Sequence, residues 1–143
     1  MSCVFCEIIA GRSPASVVYR DETVIAFMTI RPFAPGEFTV IPIAHVDHFT
    51  DVDDETSQRI MVIAQRFGRR MRELFRPERV GMIVHGYGVP HAHLVIVPQH
   101  GLHDITSARF AQIEDGRIVF TMKHIPPTER RTLDEHARLL AGS

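Results

Sequence analysis

The feature that most limits the fold is one long helical stretch near the middle of the chain. Ile60, Ile63, Ala64, Phe67, Met71 and Leu74 recur at the spacing of a single helical stripe. Asp53-Asp54-Glu55 open the stretch with negative charge, which suits the positive end of a helix dipole, and Arg76-Pro77 stop it because proline cannot continue the ladder. Arg66, Arg69, Arg70 and Arg72 fall mostly off the stripe and read as a solvated face. An apolar stripe must be buried, and the rest of the chain offers short β-rich runs for it to cover.

Residues 17–19 and 23–30 flank the polar Arg20-Asp21-Glu22 and read as a β-hairpin. Arg31-Pro32-Phe33-Ala34-Pro35-Gly36 forces a loop. Residues 38–42 form a third strand, with Pro42 demanding a place at its end or at a sheet edge. Residues 80–84 and 92–97 are β-branched runs that look like central strands joined by a glycine-rich connection. Past Pro98 the pattern weakens. Residues 117–122 follow the Asp115-Gly116 turn as a short strand, and 128–140 follow Pro126-Pro127 as a C-terminal helix. The expectation is an α+β fold, a mostly antiparallel five-stranded sheet packed with one long helix. Residues 1–143 make a single domain, with a core over about 1–100 and a C-terminal extension at 101–143.

Sixteen basic residues nearly balance seventeen acidic ones, so bulk charge gives no reason to expect nucleic acid as a partner. No apolar run reaches membrane-spanning length and no export signal opens the chain, so no membrane association is expected. Cys3 and Cys6 do not make a disulfide framework, and a reducing cytoplasm fits best.

Within Val89-Pro90-His91-Ala92-His93-Leu94, strand alternation turns His91 and His93 to one face and Ala92 and Leu94 to the core. Neutral imidazole has a free lone pair, suited to attack on phosphorus or to metal binding. Cys3-x-x-Cys6 has two readings of its own, a metal site or a redox dithiol.

Several separate blocks resemble the histidine triad (HIT) superfamily: the opening Cys3-Val4-Phe5-Cys6-Glu7-Ile8-Ile9-Ala10-Gly11, then Ala26-Phe27-Met28-Thr29-Ile30-Arg31-Pro32, then residues 36–45, and finally 86–98. The resemblance implies a HIT-like sheet-and-helix domain that pairs into homodimers through a continuous sheet. It implies action on nucleoside phosphoramidates, dinucleoside polyphosphates or related conjugates, with a purine nucleotide or nucleotide conjugate as partner. His93 would be the nucleophile forming a nucleotidyl-histidine, and the backbone carbonyl of His91 would orient its ring. Gly86, Tyr87 and Gly88 would line the phosphate loop, with Tyr87 also a contact for substrate. Cys3, Cys6, His45 and His91 match positions that bind a structural zinc in a subset of bacterial members.

Several departures from the family pattern bear on activity. The third histidine of the motif is replaced by Val95, which removes a donor where charge develops. Thr29 stands where nucleotide-binding members usually carry an aspartate for the ribose hydroxyls. The loop lacks the usual glutamine and serine, and Ile43-Ala44 rather than basic residues precede His45. His85, close in sequence, is a candidate to replace part of the missing imidazole. A hydrolase or transferase is therefore set beside two alternatives: a catalytically impaired, zinc-stabilised binding or interaction protein, and a redox protein working through Cys3 and Cys6.

Overall fold

A computed structural model describes residues 2–142. Its centre is a five-stranded antiparallel sheet in the order β1-β2-β3-β5-β4, built from β1 (Val17–Arg20), β2 (Val24–Met28), β3 (Phe38–Pro42), β4 (Arg79–Ile83) and β5 (Leu94–Gln99). β2 and β3 are buried along their whole length because both faces of the sheet are covered, so they show no alternation.

On one face lie α2 (Asp54–Phe75) and α3 (Arg130–Ala141). The stripe of α2 is buried through Ile60, Ile63, Ala64, Phe67 and Met71, against Val24, Ala26, Met28, Phe38, Val40, Leu94 and Ile96. Asp53 caps α2 by accepting from the Thr56 N–H at 2.9 Å, and Arg76 ends it in the left-handed region at φ 49°. The C-terminal helix joins this same core through Leu133, Ala137 and Leu140. Asp134 accepts from the Ser16 hydroxyl at 2.6 Å, tying α3 to the sheet ahead of β1.

On the opposite face a short helix, α1 (Val4–Ile9), covers Ile25, Phe27 and Ile41 with Phe5, Ile8 and Ile9. Beyond the sheet, β6 (Ala111–Glu114) and β7 (Arg117–Phe120) form a separate hairpin.

Several expectations change. Residues 80–84 and 92–97 were both expected as central strands, but β4 is an edge strand, and of the two only β5 is interior. The expected strand at 92–97 starts later, at Leu94. The cause is backbone pairing elsewhere: the Ala92 N–H donates to Val46 O at 2.7 Å and the His91 N–H to Val89 O at 2.8 Å, so His91 and His93 precede the ladder. The strand expected at 117–122 ends at Phe120 and pairs with β6, a strand absent from the sequence reading, as is α1. Pro42 takes one of its two expected places, the end of β3, as a residue without an N–H must in a central strand.

Candidate functional site

Three elements converge where α1 meets the open end of the sheet. α1 brings Cys3, as its N-cap, and Cys6; the chain after β3 brings His45; the approach to β5 brings His91. His91 Nδ1 lies 3.5 Å from Cys3 Sγ, 3.7 Å from Cys6 Sγ and 3.3 Å from His45 Nδ1, and Cys6 Sγ lies 3.3 Å from His45 Nδ1. All four donor atoms fall within 4.8 Å of one another. In a tetrahedral zinc site, bonds of about 2.0–2.3 Å put neighbouring ligand atoms roughly 3.3–3.8 Å apart. The four separations fit that range.

The His91 ring is also set up as a ligand. Its Nε2–H donates to the Pro42 carbonyl at 2.8 Å, which leaves the Nδ1 lone pair facing the cluster. The residue is fully buried. Burial pushes the ring toward its neutral form, with His45 and His93 acting in the same sense, although the Pro42 carbonyl opposes this. Burial, and next the Cys3 thiol, raise the Cys6 thiol. A bound cation would reverse that and favour thiolate. This donor set can hold a metal ion. Both cysteines are free thiols.

His93 stands next to this cluster. Its Nδ1–H donates to the His91 carbonyl at 2.7 Å, fixing the tautomer in which Nε2 carries the free lone pair. Phe5, between the two cysteines, meets both rings edge-on, with centroids 5.9 Å from His91 and 5.5 Å from His93. The two imidazoles therefore share the α1 side, while Ala92 and Leu94 enter the main core. A cleft of about 160 Å³ opens beside His93, walled by Asp47, His48, Phe49, His85, Gly86 and Val89 among others.

The other expected site residues are dispersed. Gly86 lines this cleft, but Tyr87 and Gly88 do not. Val95 pairs in register with Thr39 on one side and Ile83 on the other. Thr29 lies 3.1 Å, hydroxyl to hydroxyl, from Thr39 and lines a different cavity of about 280 Å³. That second cavity also contains Glu37, which sequence reading missed, as it missed the contact of Phe5 with both histidines. The position of Phe5 inside Cys3-x-x-Cys6 was the available signal: anything anchoring both cysteines must anchor the residue between them.

The HIT domain family model matches residues 10–130. The chain belongs to the HIT family. Cys3 and Cys6 lie ahead of the matched segment. The HIT protein "Protein hit" of Bacillus subtilis is 32% identical over 108 residues, which cover 72% of this chain and 74% of that one. Among solved HIT structures, a zinc-bound histidine triad family protein from Mycobacterium smegmatis is 29% identical with a TM-score of 0.72, over 99% of this chain and 92% of that one. A HIT-like protein from Bartonella henselae involved in cell-cycle regulation shares the fold at 24% identity and a TM-score of 0.77, over 99% and 95% of the two chains. Among the described residues no helix is long and apolar enough to cross a membrane.

Proposed function

We propose that this HIT-family chain is a zinc-stapled nucleotidyl hydrolase or transferase acting on nucleoside phosphoramidates or dinucleoside polyphosphates. The observation that carries this reading is the 2.7 Å bond from His93 Nδ1–H to the His91 carbonyl, because it presents Nε2 as the nucleophilic atom. The Nε2 lone pair attacks the α-phosphorus and forms a P–N bond. The bond to the amine or phosphate leaving group breaks, and that group departs with the electron pair and takes up a proton. Water or another acceptor then attacks the same phosphorus, and the P–N bond breaks to restore the imidazole. Oriented backbone amides near Gly86 are suited to phosphate oxygens.

Cys3, Cys6, His45 and His91 would hold zinc, which with four protein ligands would supply a cross-link rather than a reacting group. Its presence in the M. smegmatis relative supports the assignment. The reading includes a reducing cytoplasmic setting, where both thiols stay available for metal. It also includes a homodimer, formed across edge strand β4, where Met82, and Val84 just beyond the strand, are exposed.

Turnover of a fluorogenic adenosine phosphoramidate and of a dinucleoside polyphosphate, by metal-quantified protein, tests the reading. Activity is expected in the wild type and lost in His93→Ala; full activity in His93→Ala would overturn the nucleophile assignment. Val95, bordered by Thr39 and Ile83, favours one alternative, a binding protein of low turnover. That alternative predicts nucleotide affinity with no nucleotidyl-His93 adduct.

A further inference from the structure

The proposed attack creates a need that His93 does not meet: an amine or phosphate leaving group must gain a proton as its bond to phosphorus breaks. His93 Nδ1–H is engaged by the His91 carbonyl, and Nε2 is consumed by the bond to phosphorus. His91 has both ring nitrogens committed, to Pro42 O and to the metal cluster. Val95 has no proton to give.

His85 meets three conditions for that donor. First, it walls the same cleft as His93. Second, β4 and β5 pair in register up to Ile83 opposite Val95, and His85 and His93 each lie two residues beyond that pair, at the same end of the two strands. Third, its ring is held in either protonation state. Nδ1 lies 3.3 Å from the Tyr87 carbonyl, and Nδ1–H donates to it both in the charged ring and in the neutral ring left when Nε2 has given up its proton. Nε2 is left free in both states. A group that gives up and regains a proton each cycle needs such a mount, because losing orientation on every transfer would forfeit proximity.

We infer that His85 is the general acid of this site, delivering a proton from Nε2 to the leaving group as the P–N or P–O bond breaks. The inference rests on the reading of His93 as nucleophile. The charged ring becomes neutral in the first step. In the second, the neutral ring accepts the proton of the attacking water while the bond to His93 breaks, so the site returns to its starting state. Asp47, His48, His91 and His93 are the other titratable groups on this cleft. His48 is the rival donor, but its ring makes no hydrogen bond among the described residues, so it has no comparable mount.

The test compares two adenosine 5′-phosphoryl substrates that form the same nucleotidyl-His93, one with an alkylamine leaving group and one with p-nitrophenolate. Single-turnover release of each is measured for the wild type, His85→Ala, His85→Gln, His48→Ala and His93→Ala. Alkylamine departure requires a proton and p-nitrophenolate departure does not. Both His85 variants are expected to slow alkylamine release by about a hundredfold or more, the usual contribution of general acid catalysis, while p-nitrophenolate release stays close to wild type. His85 is exposed, so its replacement leaves the core intact. An equal effect on both substrates, no effect on either, or the selective effect appearing in His48→Ala instead would overturn the assignment while leaving His93 as nucleophile. If His93→Ala retains wild-type release, or the wild type releases neither group, the parent reading fails and this one fails with it.

Discussion

Glu37 is a carboxyl almost without water, 2% exposed, on the floor of the cavity that Thr29 also lines. Burial raises its pKa to about 7, against the Phe33 N–H at 2.9 Å, the Thr29 hydroxyl and Arg109, all of which favour the charged form. A carboxyl raised in the folded state stabilises the fold fully below its unfolded value, 4.5, and that contribution is lost as pH rises through about 7. Glu37→Gln should therefore flatten the pH dependence of unfolding between those limits. It should also stabilise the protein near pH 8, by up to about 3 kcal/mol relative to wild type. Urea titrations of both proteins at acid and alkaline pH check this; a variant that is destabilised equally at every pH would contradict it. Arg109 is the partner across the cavity, donating to the Phe33 carbonyl and, at 2.7 Å, to that of Pro32, so the C-terminal segment clamps the loop ahead of β3.

At the scale of elements, α1 and α3 are held by different forces. α3 is held by apolar burial, and Leu133→Ala should cost about 2–5 kcal/mol by leaving a cavity against α2 and the sheet. Thermal or urea unfolding of the variant measures that cost. α1 has only six residues and none of them is fully buried, so its position depends on its anchors. Cys6→Ser should lower zinc content and release α1, read as faster hydrogen exchange at residues 4–9 with α2 unaffected. The same contrast governs what the sequence discloses. The long helix was legible because its buried positions, from Ile60 to Met71, repeat over about three turns. α1 was hidden because six residues are too few to display a period. The edge position of β4 was hidden for another reason: rank in a sheet depends on which strands lie on either side, and its own residues carry little of that. Of the site, His91 and His93 were legible as a pair. Glu37 was not, because burial comes from Arg109 and α3, far away in sequence.

For the whole molecule, metal and assembly make separable predictions. A chelator should remove zinc from Cys3, Cys6, His45 and His91 and lower the melting temperature, and binding should weaken at acid pH, where protons compete for the same four donors. Metal titration followed by proton release checks this. If edge strand β4 pairs with a second copy, Met82→Arg should shift the mass measured by light scattering from dimer to monomer without loss of secondary structure.

His91 faces two ways. Its ring turns toward the cysteines, and its carbonyl holds His93 at 2.7 Å. Substitution edits only the ring, since every amino acid brings the same carbonyl. The two attachments therefore have unequal genetic fates: the metal joint can be erased by a single codon change, whereas the grip on His93 is inherited with the backbone and is lost only if the chain moves. A descendant of this protein that discarded its zinc would keep the means to hold His93 for as long as the loop kept its path.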